Sequence, residues 1–166
     1  MAGIFLAIYG LGIVMTRLPR EIIIRGSMYN LHKSLGVVIL ALLLLRVLTL
    51  LQVYRGKYFN RKPKATTTWL RNVLLHTLLY GLMLVVPVSG IWLSNSAGRP
   101  IPLFFFKLPG WFPTNPVVTD FARDMHFWLA YMLLTLVAAH GLVQHKYVLK
   151  QWKKWTKGFS QLGERF

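Results

Sequence analysis

Cysteine is absent from the 166 residues. That excludes disulfides, thiolate-bound iron–sulfur clusters and any prosthetic group attached through a cysteine thioether. Acidic side chains are scarce: Glu21, Asp120, Asp124 and Glu164 are all there are. None falls inside a long apolar run, which argues against carboxylate-relayed proton transport and against an oxygen-rich site for a hard metal ion. Beside these four acids stand 20 basic residues, giving a formal net charge of +16. Most of the basic residues flank apolar stretches, where they orient helices and meet anionic lipid headgroups. Nucleic-acid binding is therefore not expected.

What is present is apolar: 55% of the residues are hydrophobic. The pattern predicts a single all-α membrane domain, a bundle of four spans at roughly 2–16, 28–53, 69–93 and 124–149, followed by a basic tail at 150–166. The first span is short. At ~1.5 Å per residue it covers about 22 Å, less than the roughly 30 Å of a hydrocarbon core. Either it is a short helix in a locally thinned bilayer or, as we expect, it begins upstream of Met1, with about two turns missing. Span three contains Pro87, which kinks a membrane helix where neighbours satisfy the freed carbonyl. The connection Ser94–Arg123 is rich in Pro, Gly, Phe and Trp. It is expected to lie as a cap on the membrane interface, where Trp sits well. In the tail, Trp152 and Trp155 interleave with lysines, the composition of a segment lying along the lipid surface.

Basic residues set an expected orientation. Arg55, Lys57, Arg61, Lys62 and Lys64 fill the second loop, Arg71 opens the next span, and six more follow from Lys146 onward. The opposite face has Arg17, Arg20, Arg25, Lys33, Arg99, Lys107 and Arg123. The richer face is cytoplasmic by the positive-inside rule, so both termini are expected in the cytoplasm.

The fourth span carries His126 and His140. Fourteen residues is nearly four turns, so the two rings leave one helix face, about 40° apart and about 21 Å apart along the axis. Polar side chains in a membrane helix point inward, toward a partner or cofactor. Two inward imidazoles at opposite depths suggest two haem irons, one above the other. His32 opens span two at the depth of His126, and the two form a plausible bis-histidine pair. Gly36, one turn on, lets a flat macrocycle or another helix approach. His140 lies in the other leaflet, where His76 is the histidine of matching depth. His76 is a candidate ligand, quinone contact or proton relay. His145, at the headgroup border, is a candidate quinone contact. Arg46 is the one charge deep in span two; it either snorkels toward the helix end or pairs with a haem propionate. Lys33 and Arg123 flank the His32/His126 level and would draw anions there.

The pieces His32-Lys-Ser-Leu-Gly36, Pro87-Val-Ser-Gly90, Ser94 with Gly98, and His126 with His140 resemble the bacterial cytochrome b561 family. The resemblance covers nearly the whole chain. It implies a four-helix di-haem cytochrome of the inner membrane, with non-covalent haem b. It implies iron ligation by His32 and His126 near the periplasmic face, and by His140 with a first-span histidine near the cytoplasmic face. No histidine lies between Met1 and Thr16; the missing ligand would fall just before Met1. The second haem is therefore expected to be lost or altered in the chain as it stands. The resemblance further implies electron transfer between a periplasmic donor, superoxide among them, and ubiquinone or another membrane quinone, hence an oxidoreductase in contact with membrane lipids. A second reading is a haem-bearing membrane anchor that relays electrons for a dehydrogenase or hydrogenase.

Overall fold

The computed structural model describes residues 2–58 and 66–163, with side chains described for 3–56, 66–142, 145 and 149. Four helices dominate: α1 (Ala2–Arg17), α2 (Ile24–Tyr58), α3 (Thr67–Ser96) and α4 (Pro116–Gly163). Two short strands, β1 (Ile101–Leu103) and β2 (Phe106–Leu108), pair antiparallel between α3 and α4. The chain is a helical membrane bundle. Three stretches are long and apolar enough to cross a bilayer: Ile24–Gly56, Thr67–Ser96 and Pro116–Leu142; α1 is a shorter apolar helix.

The helices overrun the apolar windows because chain geometry does not stop where lipid does. Hydropathy marks the part in hydrocarbon, while capping residues mark the helix ends. Thr66 caps α3, its hydroxyl accepting from the Trp69 amide. At α4 the cap is Asn115, whose Oδ1 accepts from the Val117 and Val118 amides at 3.0 and 3.3 Å, with Pro116 in the first helical position. Asparagine followed by proline is a good helix start. It moves the start of α4 eight residues ahead of Asp124. The expected thirty-residue loop is correspondingly shorter and contains a hairpin. At the other end α4 runs on helically through Gly163. The side chains of the tail, on which its expected lipid contact depends, lie outside the described residues, as does most of the basic second loop.

Packing places the site. α3 runs closely along α4, and α2 touches α1, α3 and β1. α2 and α4 stand apart at the backbone level, so long side chains bridge the space between them. The interior is thin. Ile39, Leu43, Leu79, Ala122 and Leu133 are buried, whereas dozens of large apolar side chains face outward. In water such a surface would be unstable; in lipid it is the expected solvent-facing surface.

The hairpin seals one end of the bundle. Its register pairs Ile101 with Leu108 and Leu103 with Phe106, leaving Phe104 and Phe105 as a two-residue turn. Phe104 has φ +53, in the left-handed region that such turns require at their centre. Ser34 of α2 holds the hairpin: its Oγ lies 2.8 Å from the Pro102 carbonyl and accepts from the Phe104 amide at 3.4 Å. Lys33 Nζ donates to the Pro100 carbonyl at 3.1 Å. Beneath, Asn95 Oδ1 accepts from the Trp111 amide at 2.6 Å and the Asn115 amide donates to the Ser96 carbonyl.

Candidate functional site

His32 on α2 and His126 on α4 face each other across the gap between their helices. Their ring centres are 6.3 Å apart and their planes nearly perpendicular, at 87°. Each ring is anchored through Nδ1. In His32 this nitrogen lies 3.1 Å from the Ile8 carbonyl of α1. In His126 it lies 3.1 Å from the Val86 carbonyl and 2.9 Å from Ser89 Oγ, both on α3. A carbonyl only accepts, so Nδ1 carries the proton in both rings and Nε2 is left bare as a ligand atom. This is how metal-binding histidines are commonly oriented. Ser89 is itself fixed, donating to the Val86 carbonyl at 2.7 Å.

Two glycines make room for the rings. A Cβ on Gly90 would sit 3.0 Å from His126 Cε1, and one on Gly12 would sit 3.2 Å from His32 Cε1. Both distances are tighter than ordinary side-chain contact, so a methyl at either position would press on its histidine ring. Gly36 serves another contact: a Cβ there would meet the Ile8 side chain of α1 at 3.8 Å. Gly36 also lines the cavity around the histidine pair.

A cavity of about 360 Å³ surrounds the pair, lined by all four helices. That volume falls within the range of small-molecule and cofactor sites. Its walls are mostly apolar. Tyr9 of α1 lines it, and the buried Tyr9 hydroxyl has no hydrogen-bond partner. The Tyr9 ring stacks edge-on against Tyr131 of α4 at 5.9 Å, joining the two outer helices. Outside this cavity, toward the hairpin, opens a basic cup of about 900 Å³ that includes Arg20, Arg25, Lys33, Arg99 and Arg123. Tyr29, Lys33, Arg99 and Arg123 line both spaces. They mark the boundary between an apolar slot and a cationic mouth. Arg123 also pairs with Asp120 at 2.7 Å on the exposed side.

The second histidine level lies about 21 Å along α4, at fourteen residues and ~1.5 Å each. There His140 meets His76 of α3, ring centres 5.3 Å apart and planes at 81°. His76 Nδ1 is 2.6 Å from the Asn72 carbonyl of its own helix, and the residue is exposed. His140 is half-buried, and its Nδ1 is buried without a partner. His145 stays apart: exposed, with Nδ1 2.7 Å from the Leu142 carbonyl of its own helix. Arg46 Nε donates to Tyr80 Oη of α3 at 2.9 Å, and Arg46 is not among the residues that line the basic cup. Among the described residues no cluster of three or more His, Cys, Asp or Glu side chains is gathered for a metal ion. The histidines come as two pairs.

Sequence reasoning missed Gly12, Tyr9, Tyr29 and Arg99. Gly12 sits among Gly3 and Gly10 in α1, and nothing local separates one glycine from another. Arg99 follows Gly98, whose φ of +65 turns the chain back over the bundle. That turn was the available signal.

A family model described as prokaryotic cytochrome b561 matches residues 1–155. Cytochrome b561 homolog 2 of Escherichia coli (strain K12) is 32% identical over 120 residues, which are 71% of this chain and 62% of that protein. The chain thus spans less than two thirds of that relative's length. A cytochrome of this type implies b-type haem, and the site at His32 and His126 fits one. Two imidazoles on opposite sides of one iron have ring centres about 6 Å apart, from metal–nitrogen bonds of ~2 Å and ~1 Å more to each ring centre. The observed 6.3 Å agrees. The apolar slot suits a macrocycle, the unpartnered Tyr9 hydroxyl awaits an acceptor, and the cationic boundary suits carboxylates. The His76/His140 spacing, about 1 Å shorter, does not have this opposed-ligand form.

Proposed function

This chain belongs to the prokaryotic cytochrome b561 family, and on that premise we propose that it moves single electrons across the bacterial inner membrane. In this reading His32 and His126 would hold one haem b through their Nε2 atoms. The observation that carries it is their opposed geometry: two rings at metal-bridging separation, each turned by a carbonyl so that Nε2 faces the site. Iron held by two imidazoles exchanges single electrons and has no open position for oxygen.

The chain's own groups do the rest. Ile8, Val86 and Ser89 hold the ring tautomers and raise ligand basicity. The apolar lining keeps water out and lowers the local dielectric, one of the levers on potential. Lys33, Arg99 and Arg123 would hold the haem carboxylates at the boundary of the cup. Arg20, exposed, and Arg25, half-buried against Met15 and Tyr29, add to the positive field of the cup, which would draw an anionic donor toward the site. Superoxide, a small one-electron anion, fits such an approach. The hairpin side is periplasmic in this scheme and both termini are cytoplasmic, as the distribution of lysine and arginine favours. His140 is proposed as a ligand at a second haem level nearer the cytoplasm, its unpartnered buried Nδ1 supporting a role beyond packing. A membrane quinone, ubiquinone in the first instance, is the proposed acceptor.

The test is a haem-to-protein ratio with a reduced-minus-oxidised spectrum on the purified protein. One haem per chain, at His32 and His126, is expected with a b-type difference spectrum, and the second, at His140, is expected to be lost or altered. A colourless preparation overturns the reading. A ratio of one, abolished by His126→Ala and untouched by His140→Ala, would leave the first site and remove the second.

A further inference from the structure

The hairpin at one end of the bundle carries three consecutive phenylalanines at its tip, Phe104, Phe105 and Phe106. All three are uncovered: Phe104 is 60% exposed, Phe105 97% and Phe106 74%. At the other end of the hairpin Ile101 is buried, so the strands run outward from the core to an open apolar turn. None of the three rings lines the slot around the histidine pair or the basic cup. Lys107 follows them, exposed, and further on Trp111 and Phe112 are exposed as well. Phe104 is also unusual in its backbone. Its φ of +53 is strained for a bulky side chain, and asparagine or glycine normally takes that place in so tight a turn. The protein covers little of the ring that the strain holds in place.

The depth of the tip is set by α2. Ser34 Oγ lies 2.8 Å from the Pro102 carbonyl and accepts from the Phe104 amide at 3.4 Å, so the turn and Ser34 share a level. α2 begins at Ile24. At ~1.5 Å per residue, that start is about 15 Å further out than Ser34. The hairpin therefore hangs beside the helix rather than perching on its tip. From Leu35 to Leu45 α2 has no polar side chain, the pattern of a segment in hydrocarbon. Ser34 thus marks the edge of the apolar part, and the three rings lie at that edge. A cap resting over the interface would keep them above lipid; the Ser34 contact holds them lower. Aromatic rings beside a lysine are the composition of a membrane boundary, where rings settle at headgroup level and the ammonium snorkels to phosphate.

We propose that the turn Phe104-Phe105-Phe106 is inserted into the lipid bilayer, at the boundary of headgroups and acyl chains in the hairpin-side leaflet, with Lys107 on the lipid phosphates. Phospholipid is the partner because the depth, the chemistry and the charge agree on it. In depth the patch falls between Leu31 and Leu42, exposed apolar side chains of α2. In chemistry, three uncovered rings on one tight turn are a liability in water and at home in lipid. In charge, the neighbouring cation suits an anionic headgroup. Only a bundle standing in a bilayer is required, whatever donor or acceptor it serves. The hairpin then becomes a membrane contact beyond the helices. Through Lys33 and Ser34 it ties α2, at the level of His32, to the lipid surface.

The test exploits the absence of cysteine: Phe105→Cys gives the full haem-loaded chain a single thiol. The protein is placed in nanodiscs of phosphatidylethanolamine and phosphatidylglycerol and treated with a membrane-impermeant maleimide. Phe105→Cys should react at least about tenfold more slowly than Glu21→Cys, because the reactive thiolate does not form in apolar surroundings. Glu21 is an exposed site in the connection from α1 to α2. Phe106→Cys should behave as Phe105→Cys does, and dodecyl sulfate should bring all the rates together. Haem content and spectrum should be those of the unsubstituted protein throughout. Photocrosslinking then identifies what covers the tip. In proteoliposomes of the same lipids, benzoyl-phenylalanine in place of Phe105 should form adducts with acyl chains, as it should in place of Leu45, an exposed side chain of α2. Absence of a lipid adduct at position 105 overturns the proposal. With modification as fast as at Glu21→Cys, the tip is then in water. With crosslinks to a second copy of this chain, the patch belongs to self-association instead.

Discussion

The two histidine pairs differ in how much of the chain is committed to them. At His32/His126 all four helices contribute: α1 a carbonyl and a glycine, and α3 a carbonyl, a hydroxyl and a glycine, around the imidazoles from α2 and α4. At His76/His140 the rings meet at 5.3 Å, one of them bonded back to its own helix and the other with a bare buried nitrogen. Neighbouring imidazoles alone therefore do not define a cofactor site. The difference lies in the groups that aim the rings and in the space left between them.

Removing a ligand should separate the two levels most sharply. His32→Ala or His126→Ala should abolish haem binding at the hairpin-side level, lowering the haem-to-protein ratio by one, while His76→Ala leaves that level's spectrum unchanged. Pyridine haemochrome assay and optical difference spectra would measure this. Equal loss from all three substitutions would erase the distinction drawn here. Filling the glycine spaces should come next. Gly90→Ala forces a methyl to 3.0 Å from the His126 ring. Overpacking of this kind costs about 1–3 kcal/mol, so haem affinity should fall roughly ten- to a hundredfold. Gly12→Ala, at 3.2 Å, should cost less. Gly81→Ala, where nothing lies within 4 Å, should change nothing, and haem retention during detergent dialysis would rank the three. The smallest effect belongs to Ser89→Ala. It removes one neutral hydrogen bond of about 0.5–1.5 kcal/mol but leaves the Val86 carbonyl to orient His126. A few-fold weaker haem affinity is expected, with a small shift in midpoint potential read by redox titration.

Much of this arrangement was legible before any coordinates. The apolar runs gave a helical membrane bundle, and the fourteen-residue interval gave two imidazoles on one face at two depths. Depth matching brought His32 to His126 and His76 to His140, because helices of known rise and direction fix relative height. What was not legible depends on contacts between helices. Gly12 matters only because His32 of another helix swings over it, and Arg99 only because Gly98 turns the chain back over the bundle. The hairpin lacked its usual signal: its turn is Phe104-Phe105, where asparagine or glycine normally supplies the left-handed residue. The start of α4 was missed for a different reason. Asn115-Pro116 is a readable cap, but hydropathy drew attention to the later apolar run.

Ser34 has a mechanical consequence. Much of α2 is apolar on every side, and lipid is equally content with any face, so hydrocarbon alone gives this rod no preferred angle about its axis. Ser34 fixes that angle. It is buried, it grips Pro102 and Phe104 of the hairpin, and it lies two positions from His32. A slip of one residue would turn the helix by about 100°, carrying the imidazole out of the slot and the hydroxyl off the strand together. The hairpin thus acts as a keyway, converting a helix free to spin into one with a single working azimuth.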